Sequence, residues 1–371
     1  MSEPWPGTGA AESPNMTTGM WPGQDWNESM APLCHSCCCG LLGHVLAVVF
    51  MVALAFAIVI GNAVTLAVFM QTRQSRTSQG YFKVSLALAD VMVGILVIPF
   101  SVFTEISLMV TGVPPMWFQG GSPLQAEGVW QPCKLIGPVF AGCTFVSIST
   151  IFLMTVERSV AVMWPLHKDI VVTWRRALLL VLLSWAGSFL LALALLFGSG
   201  GFTLEYNECS RMCNYAPRRG GDRPTANGSV MLLFPAFDFT LLGGTLTVNV
   251  LSFTSIRRYT HKRKLLSGAG HGGDGGGGAG PHRPSFSDIK AAKTIGILTF
   301  TFTASFSPIA VFVLGNLVGH VWCTFSFFAF WILAANSCCN VIIYSVWDRH
   351  FRRGVGLFFH RDRMPPQNEK S

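Results

Sequence analysis

Apolar stretches of 18 or more residues recur at about 42–70, 81–106, 135–163, 176–198, 229–255, 292–318 and 322–346, separated by shorter polar connections. Crossing roughly 30 Å of hydrocarbon takes about 20 helical residues at a rise of about 1.5 Å each. With no water to accept them, backbone N–H and C=O groups must bond within the segment, which a helix does. The pattern therefore predicts an all-α membrane protein, a seven-transmembrane helix bundle. After the seventh run, DRHFRRGVGLFF sets Phe351, Val355 and Phe358 at i, i+4 and i+7 against a basic face, which predicts an amphipathic eighth helix lying along the inner interface. SGAGHGGDGGGGAGPHRPSFSD, 267–288, has no apolar period, and its glycine content predicts a disordered linker between runs five and six. The flanking RRYTHKRK and SDIKAAK extend helices five and six beyond the bilayer, with Ser287 and Asp288 as an N-terminal capping pair. The organisation that follows is a tail over 1–41, a membrane domain over 42–346 with a disordered connection at about 265–287, and the eighth helix and tail over 347–371.

Charge placement orients the bundle. Only 12% of the 371 residues are charged, against about a quarter in soluble domains. Basic residues gather in alternate connections: Arg73, Arg76 and Lys83; Lys168, Arg175 and Arg176; Arg257 to Lys264; and Arg349, Arg352 and Arg353. The positive-inside rule makes these cytoplasmic and the N-terminus extracellular, as in a multi-pass plasma-membrane protein. The first 45 residues carry no Lys or Arg, so they lack a signal peptide's basic start, and the first run is expected to anchor itself. Arg211, Arg218, Arg219 and Arg223 run against the rule, on the outer side between runs four and five. The sequons at Asn15, Asn27 and Asn227 fall on that side too, and glycosylation is expected there. The net charge of +8 reads as topology and as contact with anionic inner-leaflet lipid; no nucleic-acid partner is expected.

Of the eleven cysteines, Cys133, Cys209 and Cys213 lie outside, where disulfides persist. A bridge from Cys133 to Cys209 or to Cys213 is expected, and a further one from Cys34 to Cys323 is open. The CHSCCC run at 34–39 lacks a metal-ligand spacing, so a metal site there is not expected.

A charge at hydrocarbon depth costs about 2.5–3.5 kcal/mol even on the mild insertion scale, so each needs a partner or a use. Asp90, Ser147, Asn336, Ser337 and Asn340 fall at a similar depth, with Asn62 following Gly61 in the first run. One carboxylate ringed by hydroxyls and amides suits a hard cation, most simply sodium; the same set serves equally as a hydrogen-bonded glue between helices. Glu157 and Arg158 lie at the inner end of the third run, where a guanidinium reaches the interface or pairs with an acid. Glu105, near the outer end of the second run, and Asp238, in the fifth beyond Pro235, are the remaining membrane carboxylates. Either is a candidate counter-ion for a cationic ligand, and Asp238, the intramembrane one, is the sharper candidate.

Gly61-Asn62, Leu86-Ala-Leu-Ala-Asp90, Cys133, Glu157-Arg158 with Pro165, Trp185, Phe302-xx-Ser-Phe-Ser-Pro308, and Asn340-Val-Ile-Ile-Tyr344 followed by Phe351 stand in order, about one group per run. In these the chain resembles the rhodopsin-like family of G-protein-coupled receptors over about 42–358. The resemblance implies a receptor, not an enzyme, that signals to a heterotrimeric G protein, with arrestin and receptor kinases as further partners and no cofactor beyond an allosteric sodium ion. It also implies that Glu157, and Asp288 at the base of helix six, hold Arg158 until activation, with Phe306, Pro308, Asn340 and Tyr344 carrying the switch. Four positions depart from the family's pattern: Ser159 and Asn249 replace tyrosines, Phe306 a tryptophan and Val341 a proline.

The second run and Trp331 are similar to amine receptors, but Phe140 stands where those place an aspartate and Ala334 where they place a tyrosine. An ordinary monoamine pocket is therefore not expected. The outer cavity is expected to be lined by Phe140, Thr144, Phe306, Ile309, Phe312 and Trp331, which suits a neutral, lipidic or peptide ligand, an atypical amine, or none at all. A transporter or channel is the alternative, though the paired, broken helices of transporters are not evident. An intramembrane enzyme would want a Ser/His, paired-Asp or metal constellation, and no His stands mid-helix.

Overall fold

The computed structural model describes residues 41–71, 77–111, 131–163, 173–198, 202–217, 233–269, 286–317, 320 and 322–360. Asn15, Asn27, Asn227, Cys34 and most of the Gly-rich linker lie outside them. The helices are α1 Leu41–Gln71, α2 Ser78–Thr111, α3 Cys133–Met163, α4 Trp174–Gly198, α5 Leu233–Ala269, α6 Phe286–Leu317, α7 Cys323–Trp347 and α8 Arg349–His360. Seven of them, α1 to α7, are long and apolar enough to cross a membrane. Side chains such as Phe56, Leu182 and Phe300 project outward exposed, as a lipid-facing surface requires. α3 packs against α2, α4, α5 and α6 and carries the centre of the core.

Thr77 caps α2, its hydroxyl accepting from Gly80 N at 3.3 Å. The helix widens into a π turn at Val93–Val97, a bulge that takes in one extra residue. Gly94 in that turn lies so close to α1 that a Cβ would stand 2.8 Å from Val59 Cγ2. α7 runs unbroken through Val341, as the absent proline leads one to expect. Pro235 sits in the first turn of α5, where a missing N–H costs nothing. Helix α6 begins at Phe286, so Ser287 and Asp288 lie inside its first turn instead of ahead of it.

The expected eighth helix is present, and its apolar face meets protein. The Phe351 ring is buried 6.0 Å from that of Phe69 and 6.1 Å from that of Tyr344. A phenylalanine at the start of a short helix buries more apolar area against two rings than it would along the headgroups.

Between α4 and α5 lies an antiparallel hairpin, β1 Phe202–Asn207 and β2 Met212–Pro217, paired from Phe202↔Pro217 to Asn207↔Met212. Leu204, Tyr206 and Cys213 pack with Cys133 in a small cluster. Gly137 of α3 admits it: a Cβ there would meet Leu204 Cδ2 at 2.5 Å. Cys133 bonds to Cys213, which decides between the two candidates, and Cys209 bonds to Cys323. The second bond corrects the Cys34–Cys323 expectation, because the hairpin tip reaches α7 and takes its cysteine.

Candidate functional site

Polar side chains meet at three depths. At mid-bundle Asp90 is buried and accepts from Asn340 Nδ2 at 2.9 Å, with Ser337 as a further hydrogen-bond partner. Asn62 Nδ2 donates to Ile58 O at 3.0 Å and to Ser337 O at 2.9 Å, so an amide of α1 grips the backbone of α7. Ser147, Asn336 and Ser337 line one narrow cavity with Phe140, Cys143 and Thr144. The sequence-derived set therefore converges on one region, and its donors and acceptors bridge α1, α2, α3 and α7. Trp185 of α4 donates to Ser85 Oγ at 2.9 Å, tying α4 to α2 across the core.

At the end that carries α8, Glu157 Oε2 accepts from Gln79 Nε2 at 2.6 Å, which holds the acid beside Arg158 against α2. The two replaced tyrosine positions make bonds of their own. Ser159 and Ser252 hydroxyls lie 2.5 Å apart, joining α3 to α5, and Asn249 Nδ2 donates to Thr299 Oγ1 at 2.9 Å, joining α5 to α6. Lys83, read from sequence as a connection charge, lies inside α2 with Nζ 2.6 Å from Asp348 and 5.0 Å from the ring centroids of both Phe69 and Tyr344. The signal for it was an acid placed immediately after the last apolar run.

At the end that carries the hairpin Glu105 is 2% exposed. Tyr206 OH donates to its Oε1 at 2.9 Å, and His44 Nδ1 and Arg211 Nη1 lie 3.0 and 3.1 Å from Oε2. Burial, and then the adjacent Glu105 charge, push the Tyr206 phenol well above its ordinary value, so it remains a donor at neutral pH. Trp331 Nε1 donates to Ser210 O at 3.0 Å, and the Trp331 ring meets Phe50 edge-on. The other expected lining residues pack on aromatic neighbours: Phe140 and Phe312 each meet Phe330 at 6.3 and 5.7 Å, and Phe306 stacks on Phe302 at 6.3 Å. Ile309 is buried with them, and Thr144 donates to Phe140 O at 2.9 Å. Asp238 is 4% exposed, and its Oδ1 has no hydrogen-bond partner among the described residues. Its neighbours in sequence, Phe237 and Phe239, pack against Phe145 and Phe306.

A family model described as 7 transmembrane receptor (rhodopsin family) matches residues 61–344. Curated relatives include the trace amine-associated receptor 13c of Danio rerio, 27% identical with 81% of each chain covered, and the growth hormone secretagogue receptor type 1 of Oryctolagus cuniculus, 25% identical over 82% of this chain and 78% of that one. A probable glycoprotein hormone G-protein coupled receptor of Anthopleura elegantissima is 24% identical over 85% of this chain, which spans only 31% of that relative. The crystal structure of squid rhodopsin superposes with a TM-score of 0.62 at 19% identity, covering 86% of this chain and 87% of that one, a likeness of fold.

Proposed function

We propose that this chain, which belongs to the rhodopsin family of seven-transmembrane receptors, is a plasma-membrane receptor that drives nucleotide exchange on a heterotrimeric G protein docked at its inner face. Its N-terminus then lies outside, and arrestin and receptor kinases engage the same inner face after activation. The observation that carries this reading is the Asp90–Asn340 bond and its neighbours, a fully buried polar junction joining the helix that bears Glu105 to the helix that bears Tyr344. Buried polar networks with complete partners have discrete arrangements rather than graded ones, which is what a two-state transducer needs. The test is exchange on added G protein by the purified chain in lipid, set against ion flux in sealed vesicles; flux without exchange would favour a transporter or channel.

On this reading Glu157 restrains Arg158, and what supports it is that Gln79 holds Glu157 in place by a 2.6 Å bond. Neutralising the acid with Glu157→Gln is expected to raise ligand-free exchange several-fold at matched surface density, and Gln79→Ala to raise it less. An Asp288→Asn variant tests the second acid in the same assay. Unchanged basal exchange in all three would remove the restraint from the account.

The mid-bundle set fits sodium, since Asp90 supplies a carboxylate and Ser147, Ser337, Asn336 and Asn340 supply neutral oxygens, the donors a hard cation takes. A ligand that binds one state stabilises it by about 2.7 kcal/mol at a hundredfold excess over Kd. Replacing choline with sodium at constant ionic strength should therefore raise the apparent melting temperature of the wild type by several degrees, and of Asp90→Asn by none. Equal shifts in both would show a general salt effect.

The aromatic packing of Phe140, Phe306, Phe312 and Trp331 favours neutral, lipidic or peptide ligands, or signalling with none. A cationic ligand has one specific observation in its favour, a carboxylate oxygen of Asp238 that has no hydrogen-bond partner among the described residues. In that case Asp238→Asn abolishes the response while expression holds, and an unaltered dose curve dismisses the idea.

A further inference from the structure

We propose that the buried cluster around Glu105 is a guanidinium site and that the chain fills it itself: Arg211 is a tethered agonist, and signalling proceeds without a soluble ligand. The inference rests on the receptor reading above and names the occupant of its outer site.

The argument begins with Glu105. A carboxylate this buried demands a counter-charge, and Arg211 Nη1 stands 3.1 Å from Oε2. Arginine suits the place better than lysine, because its planar cation is weakly hydrated and rests on aromatic faces; the guanidinium carbon lies 5.6 Å from the Phe327 ring centroid. Tyr206 and His44 meet the same carboxylate. The four groups are what a binding site for a guanidinium ligand would contain, and the ligand arrives on the hairpin.

Its delivery is built into the backbone. Arg211 has φ 55°, a left-handed conformation that a long side chain adopts only where its surroundings impose it. Here they do: Arg211 N donates to Asn207 O at 2.7 Å, Ser210 N to Asn207 Oδ1 at 3.0 Å, and disulfides to α7 and α3 leave from Cys209 and Cys213, two residues to either side. A connection with no other task would place glycine or asparagine there. Arg211 is also one of the arginines that run against the positive-inside rule, and a ligand role accounts for its presence outside.

The occupant is coupled to the switch through α7. Ser210 O accepts from Trp331, and the same helix carries Asn336, Asn340 and Tyr344 in its following turns. Tethering keeps the local guanidinium concentration high enough that dilute soluble cations lose the competition. Since covalent bonds hold the tip in place, a resting-state plug would isolate the inner machinery from the outside for good. A permanent occupant that favours the signalling state does not.

The test measures ligand-free nucleotide exchange by the full chain in lipid at matched receptor amounts. Arg211→Ala and Glu105→Gln should each lower it at least fivefold, with Arg211→Lys between. Millimolar ethylguanidine should restore exchange to Arg211→Gly, while ethylurea, its uncharged analogue, should not. Unchanged or raised exchange in Arg211→Ala overturns the proposal, as does equal rescue by the urea. Should Arg211→Ala fail to fold, Arg211→Lys and Phe327→Ala carry the same expectation of reduced exchange. Silence of the wild type without ligand, with exchange appearing in Glu157→Gln, overturns the tethered agonist alone; silence in both overturns the receptor reading as well.

Discussion

Replacing Asp348 by Ala is expected to destabilise the purified receptor by about 3–5 kcal/mol, the usual cost of leaving one member of a buried ion pair without the other. Lys83 and Asp348 are only 10% and 12% exposed and lie 2.6 Å apart. Removing the carboxylate strands an ammonium between the rings of Phe69 and Tyr344, where cation–π attraction offsets part of the loss. It also removes the acceptor for Phe351 N, at 3.2 Å from Asp348 Oδ1, so α8 loses its N-terminal cap. Asp348→Asn keeps an acceptor for that cap and should lose less. The double change Lys83→Met with Asp348→Leu should recover most of the stability, because well-packed apolar pairs often equal a buried ion pair. Thermal unfolding in detergent, compared at one scan rate because it is irreversible, checks the order. A double variant no better than Asp348→Ala would mean that the pair contributes through its cap and rings alone.

The second large effect lies in the hairpin between α4 and α5. Paired serine replacements at Cys209 and Cys323, or at Cys133 and Cys213, are each expected to cost about 2–4 kcal/mol, the typical worth of a disulfide. The loops closed span 114 and 80 residues, but the bilayer already confines the unfolded chain, so loop length should not rank the two. Packing should: Cys133 and Cys213 stand in the cluster with Leu204 and Tyr206, whereas Cys209 is half-buried at the tip. Loss of the Cys133–Cys213 bond should therefore reduce surface delivery more, which surface immunodetection of the two double variants reads directly. The reverse order would place the anchorage of the hairpin at its tip.

Most of the fold was legible because a bilayer makes hydrophobic pattern decisive: a run of 18 apolar residues has few other fates. The mid-bundle junction was legible for the converse reason, that a carboxylate among such runs must be met. What escaped was contact between segments remote in sequence. Cys209 and Cys213 are four residues apart in one connection, so only the hairpin's register decides which faces α3. The tip's reach to Cys323, like the pairing of Arg211 with Glu105, depends on a left-handed residue that sequence does not announce. Lys83 was misplaced because SQGYFK looks polar enough for a connection, yet it forms the first turns of α2. Gln79 in the same stretch, the partner of Glu157, was invisible for the same cause.

The wide turn at Val93–Val97 lies between Asp90 and Glu105 on one helix. A bulge of this kind holds one residue of slack, and drawing it tight into regular helix rotates everything on one side of it by about 100° relative to the other. The outer carboxylate and the mid-bundle one thus sit on two shafts joined by a gear of a single tooth. Any rearrangement that leaves Asp90 in place while Glu105 changes partner has a mechanical route that requires no bending of α2.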